Sequence, residues 1–290
     1  PVSGKLALNT NSAIGEESAA GWIKFGGDDY ALHVDYFRRD TDDVDIPGYA
    51  ESAVLRRLEE EEGETAEEIR GTVENSASST DGGAVAASWY GENGFIGIAV
   101  SSFDSDYDVP AEHAHEEELP APAGEEEEEE VSIKLDQTRV DLKGEYGFSG
   151  PIERLSFRIA DNDYEHTEFE GAEVGTLYRT SGTDGRLELR HRPLGNMEGA
   201  IGLQYKKIDF DAIGDEAFVP PSETTRTSVF AFEEVTVSDD FVLQGSLRAE
   251  SQSIDGSALA IDYDDSAFGA ALGAVWTPTD VMTLAARLSL

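Results

Sequence analysis

The sequence is a succession of segments in which apolar and polar residues strictly alternate. In Tyr30 to Arg39, Tyr30, Leu32, Val34 and Tyr36 fall on one side, and Ala31, His33, Asp35 and Arg39 on the other. Val140, Leu142, Tyr146 and Phe148 likewise oppose Arg139, Asp141, Lys143 and Glu145. Successive side chains of an extended strand point to opposite faces of its sheet, so each segment presents one apolar and one charged face. Two architectures satisfy both faces. In a soluble sandwich the apolar face is core and the charged face meets water. In a barrel that crosses a bilayer, the apolar face meets lipid and the charged face lines a polar lumen.

The connections separate the two. About thirteen strand-like segments are legible, near 4–10, 18–27, 29–40, 83–92, 94–105, 131–148, 151–164, 173–193, 197–211, 225–237, 240–252, 266–277 and 280–290. Gly26-Gly27-Asp28-Asp29, Glu92-Asn93-Gly94, Phe148 to Pro151, Pro193 to Asn196, Ser238 to Asp240 and Thr277 to Asp280 carry the Gly, Pro, Asn and Asp of tight reversals. The other connections read as long: Asn9 to Glu17, Thr41 to Gly82, Asp106 to Glu130, Glu165 to Ala172, Ala212 to Thr224 and Ser253 to Asp265. Short and long connections alternate, as in barrels with short turns at one membrane face and long loops at the other. The expected fold class is therefore all-β: an antiparallel transmembrane β-barrel, partial or open because an odd strand count does not close antiparallel. Pro1 is not an initiator Met, and 1–290 reads as part of a longer polypeptide.

Composition narrows the function. With 61 acidic against 21 basic residues the formal charge is −40, which excludes nucleic acid as a partner, since phosphate binding needs a basic surface. No run of about 20 apolar residues exists, so no transmembrane helix is expected; barrel strands escape that test. Cysteine is absent, which removes disulfides and thiolate metal sites. No Gly-x-Ser-x-Gly elbow or phosphate-cradling Gly loop appears, so no catalytic residues are assigned and the chain is not read as an enzyme. Trp22, Tyr36, Trp89, Tyr90, Tyr146, Phe148 and Trp276 lie near strand ends, where aromatic girdles mark membrane interfaces.

Two loops stand out. Tyr49 to Gly71 sets Ala53, Leu55, Leu58 and Ile69 among Arg and Glu and predicts a short helix packed over the barrel mouth. The connection from Asp106 holds Glu112-His113-Ala114-His115-Glu116 and then six Glu from Glu125 to Glu130, a solvated acidic tract. Imidazoles two residues apart project to one side of an extended segment, so His113 and His115 can reach one ion, with Glu112 or Glu116 completing the shell; zinc accepts such N/O ligation. His33 and His191 read as hydrogen-bonding residues on the polar side of strands, and His166 as a loop-shoulder residue with a secondary ligand role.

Several stretches carry a resemblance. They are Arg38 to Tyr49, Gly94 to Ser101, Tyr107-Asp108-Val109-Pro110 leading into His113 to Glu116, Asn162 to Glu168 with Glu170 to Thr176, and Glu216 to Pro221. In these the chain resembles the barrel of TonB-dependent outer-membrane receptors, and within them the group linked to zinc uptake in Gram-negative bacteria. The resemblance implies a plug domain inside a barrel of about 22 strands and a short segment that contacts an energising TonB complex; neither the plug nor that segment matches anything in this sequence. Zinc is then a transported ligand, with no resident cofactor, and the partners are outer-membrane lipid, the plug and the TonB complex. Two alternatives remain: a receptor of the same build for iron-siderophore or other chelates, and an acidic secreted β-rich surface or adhesion protein whose loops bind calcium.

Overall fold

The computed structural model describes residues 1–62, 70–110, 130–214, 217–256 and 261–290. Thirteen strands form one antiparallel sheet in which sheet neighbours follow chain order: β1 (Val2–Asn11), β2 (Glu16–Gly26), β3 (Tyr30–Thr41), β6 (Ser78–Gly91), β7 (Gly94–Val109), β8 (Val131–Gly147), β9 (Ile152–Glu170), β10 (Glu173–His191), β11 (Met197–Gly214), β12 (Ser222–Ser238), β13 (Phe241–Gly256), β14 (Ile261–Thr279) and β15 (Met282–Ser289). Between β3 and β6 lie a two-stranded ribbon, β4 (Val44–Tyr49) with β5 (Arg70–Val73), and a short helix, α1 (Leu55–Glu62). Among the described residues β1 and β15 each pair on one side only, so the wall is open. Among the described residues no second sheet packs face to face on the first, so they form no two-layer sandwich.

Burial points the same way. Among the described residues the only buried hydrophobic ones are Ala160 and Ala212, while Leu8, Leu272 and Phe268 are 71%, 71% and 68% exposed. A water-soluble chain of this length would hide its large aliphatic residues in a core. Here they line one face. Cross-strand partners share a face, so the registers propagate side across the wall: Leu32, Val34, Leu142, Leu155, Phe157, Leu187, Leu189, Leu203, Leu243, Leu247 and Leu284 all fall together, and Arg139, Lys143, Arg158, Arg186, Arg190 and Arg248 all fall on the opposite face. Sequence alternation predicted both sets.

The apolar belt runs obliquely to the strands. The register row starting at Val2, the lowest apolar residue of β1, passes through Phe25, Leu32, Ala87, Ile98, Leu142, Ile159, Gly185, Tyr205, Thr227 and Ser251 to Ser266. Ser266 is already above Phe268, the topmost apolar residue of β14, whose belt descends to Trp276. A slide of ten residues across eleven strand spacings, at about 3.3 Å per residue and about 4.8 Å per strand, corresponds to a tilt of about 30°. Tilted strands in a level slab give this pattern, and transmembrane barrel strands tilt by about 35–45°. Tyr30, Trp89, Tyr146 and Trp276 mark the lower edge of the belt, and Tyr36, Tyr205 and Phe268 the upper. Trp22 and Tyr90 belong to the polar face instead: Trp22 lies 6.3 Å from the His33 ring and Tyr90 lies 6.0 Å from Phe95. At the lower edge the Trp276 indole N–H donates to Asp240 Oδ2 at 3.2 Å. Donation by the Ser238 hydroxyl, and then by this indole, holds the Asp240 carboxyl below the usual carboxylate range.

The lower connections are all tight, as expected. At the upper end several predicted loops are strand. β9 continues to Glu170 and returns to β10 over Gly171 and Ala172, so Glu165 and His166 lie within the ladder. These extensions are polar on both faces because they rise above the belt, so their alternation carries no apolar signal. The helix predicted in the 49–71 loop exists; its Arg56 guanidinium lies 3.8 Å from the ring centroid of Tyr49 in β4, while Leu55 and Leu58 are exposed.

One turn residue has no alternative. A Cβ on Gly94, which opens β7 after Glu92 and Asn93, would run into the Glu145 carbonyl and the Tyr146 backbone of β8. β8 is paired on both sides and has no room to retreat. Gly94→Val is expected to destabilise by about 1–3 kcal/mol, the range for forced overpacking, read as a lowered denaturant midpoint of the intact receptor; an unchanged midpoint would contradict this close approach.

Candidate functional site

The polar face carries two kinds of chemistry. At the level of the belt, cations pair with acids two residues away on the same strand and face: Arg139 with Asp141 at 2.8 Å, Arg186 with Glu188 at 2.8 Å and Arg248 with Glu250 at 2.6 Å. Arg190 reaches across to Glu198 at 2.9 Å, and the Arg186 guanidinium lies 4.1 Å from the Phe230 ring centroid. These groups are partly exposed, so each pair contributes no more than about 1 kcal/mol. Their effect is to line this face with matched charge.

Toward the upper end the same face becomes aromatic. Tyr164 and His166, two apart on β9, point the same way, and the register sets Tyr178 of β10 directly beside His166. The His166 ring stacks on Tyr178 with centroids 4.5 Å apart and planes at 26°. Tyr164 lies edge-on to it at 5.5 Å, its hydroxyl 3.0 Å from His166 Nδ1. With one ring nitrogen engaged, Nε2 is available to a ligand. On the neighbouring strands Leu135 pairs with His166, and Gln137, opposite Tyr164, donates to Asn162 Oδ1 at 2.6 Å. The cluster therefore offers an imidazole nitrogen and two phenols beside a flat aromatic surface.

His113, His115, Glu112 and Glu116 lie outside the described residues. Among the described residues no group of three or more His, Asp or Glu is arranged to hold a metal ion. His33 stands on the polar face as expected, with Nε2 2.7 Å from Asp35. His191 does not. By alternation along β10 it follows Leu187 and Leu189 onto the apolar face, just past a register shift at the lower edge, where Nδ1 lies 2.7 Å from the Arg192 carbonyl oxygen and Nε2 3.1 Å from Glu233, which shares the face of Val229 and Ala231. A polar residue at the rim of the belt touches headgroups rather than hydrocarbon, so its polarity does not report its face. His166 is a strand residue, not a loop-shoulder one. The Tyr164–His166 pairing was readable from their spacing; the contribution of Tyr178 needed the register.

Comparison with known proteins places this wall. A family model described as TonB dependent receptor-like, beta-barrel matches residues 71–290. Solved structures agree in fold. The FrpB iron transporter from Neisseria meningitidis (F3-3 variant) superposes with a TM-score of 0.72 at 13% identity, covering 99% of this chain and 45% of that one. The copper transporter OprC superposes at 0.71 with 14% identity, covering 99% and 45%. The ferric yersiniabactin uptake receptor FyuA from Yersinia pestis superposes at 0.60 with 13% identity, again covering 99% and 45%. The chain thus spans less than half the length of these structures. The family is one of receptors rather than enzymes, and the chain belongs to it: it is a TonB-dependent receptor-like β-barrel of the Gram-negative outer membrane.

Proposed function

We propose that residues 1–290 form part of the barrel wall of a receptor that imports a metal ion or metal chelate, the remaining strands and a plug domain completing it and a TonB complex energising it. The observation that carries this reading is the Tyr164–His166–Tyr178 cluster on the polar face at the upper end of the wall. Leu135, the partner of His166, is four residues along β8 from Val131, so the cluster lies about 13 Å, at about 3.3 Å per residue, below the point where the 110–130 connection leaves the wall. That connection carries His113 and His115, with Glu112 and Glu116 beside them. In this reading zinc is the substrate: the two imidazoles and a carboxylate capture it, and His166 is the next nitrogen on the way inward. Relatives of this fold named as iron and copper transporters are consistent with a metal cargo.

A second reading, import of a ferric chelate, is favoured by the flat Tyr178–His166 stack, which suits a planar ligand better than a bare ion. Zinc titration of the intact receptor at about pH 7.5 tests the first. The double variant His113→Ala, His115→Ala should bind zinc at least about tenfold more weakly, because losing each ligand removes more than a net neutral hydrogen bond of about 1 kcal/mol. Equal binding by wild type and variant would end the histidine assignment. Chelate binding that falls in Tyr178→Ala without any zinc response would select the second reading.

A further inference from the structure

Between β5 and β6 the chain passes Asn75, which has a left-handed backbone at φ 56°. Asparagine is among the few side chains that tolerate this region. Its Nδ2 donates to two carbonyls, Val109 at 2.6 Å and Val131 at 2.9 Å. Val109 and Val131 are the last register partners of β7 and β8, so they form the neck from which the 110–130 connection departs. Both amide hydrogens of one side chain therefore bridge the two strands at the point where they part. The flanking residues are pinned from the other side. The Ser76 amide donates to Asp43 Oδ1 at 2.8 Å, its hydroxyl donates to the Val73 carbonyl at 2.6 Å, and the Val44 amide donates to that hydroxyl at 2.9 Å. The Asp108 amide donates to the Ala77 carbonyl at 3.0 Å. The feet of the 42–77 excursion and the neck of 110–130 are one hydrogen-bonded block.

We propose that Asn75 is a positioning residue that holds together Val109 and Val131, the two ends of the 110–130 connection at the wall, and fixes them to the end of the 42–77 excursion. Its geometry stands by itself; its consequence for ligand capture rests on the metal reading above. The alternative partner for these carbonyls is water, which bonds each one separately and leaves the strands free to part. The left-handed backbone is what turns the amide toward the neck, so conformation and clip are separable by substitution.

Hydrogen exchange by mass spectrometry on the intact receptor tests this. Asn75→Gly keeps the backbone conformation and removes the amide; Asn75→Asp keeps the size and replaces the donors with acceptors that repel both carbonyls. In both variants exchange at 72–78, 105–109 and 131–135 should rise together by about tenfold, the scale of one to two lost neutral hydrogen bonds, while β11 to β13 stay as in wild type. Affinity for zinc chloride should fall in both, with an unchanged pH profile because the imidazoles remain. Wild-type exchange in Asn75→Gly would overturn the proposal, as would a rise confined to Asn75→Ala, which would assign the effect to backbone strain. So would a rise at the neck without one at 72–78. If the wild-type receptor takes up no zinc, the metal reading falls, and the exchange comparison still decides the clip.

Discussion

Replacing Leu203 with Arg should destabilise the folded wall by about 1–3 kcal/mol in lipid, the cost of a cation on a lipid-facing strand between the bilayer midplane and the interface. Leu203 sits inside the belt, two residues below Tyr205 at its upper edge, with Leu187 and Val229 as its register partners and the polar Lys207 four residues above. No acid lies within its row to accept the new charge, and the guanidinium would have to snorkel past Tyr205 to reach water. Ser156→Arg is the control. Ser156 faces the other way and lies in register between Glu145 and Glu188, so the same cation gains partners there, and the change should stay within about 0.5 kcal/mol. The comparison is made on the intact receptor by equilibrium unfolding in lipid vesicles, with loss of the heat-modifiable band as a second readout. Equal cost at the two positions would mean the faces have been assigned the wrong way round. In detergent of shorter chain the Leu203 penalty should shrink, because its depth below the interface shrinks with the apolar thickness.

How legible this was depends on where a residue sits relative to the belt. Inside it, alternation carries the signal: Leu142 against Lys143 and Leu187 against Arg186 fix the face without any structure, since a reversed strand would place charge in hydrocarbon. Above it, both faces meet water. Asp161, Asp163 and Glu165 then alternate with Asn162, Tyr164 and His166, and no contrast remains by which to see a strand, so the upper third of β9 read as loop. At the lower rim the contrast also fades, which is how His191 was given the wrong face. Tilt was invisible in the sequence, because it is a relation among registers of different strands. The site divides likewise. A His-x-His pair is a local pattern, and Tyr164-x-His166 is another, but the stacking partner Tyr178 and the clip from Asn75 to Val109 and Val131 join residues far apart in sequence. They follow only from the pairing of β7 to β10.

Zinc capture should be lost on acidification near pH 6.5 if histidines hold the ion, and near pH 4 if the glutamates do. Imidazole ligates only when neutral, and an unperturbed histidine takes its proton at about 6.5. Each proton bound then competes with the metal for one ligand, so two histidines give a steep loss, up to two decades of affinity per pH unit below that point. Glutamate stays ionised down to about 4.3, so a carboxylate lure keeps its affinity through the histidine range. The same 110–130 connection carries Glu112, Glu116 to Glu118 and the run from Glu125 to Glu130, a concentration of charge whose attraction for cations high salt screens. Wild type and the double variant His113→Ala, His115→Ala, titrated with zinc chloride from about pH 8 to pH 4 at two ionic strengths, separate the two cases. A wild-type curve that is flat across pH 7 to 5.5 and coincides with the variant would assign capture to carboxylates alone. A wild-type curve that falls steeply there, over a variant that is weak and flat, identifies the imidazoles as the ligands.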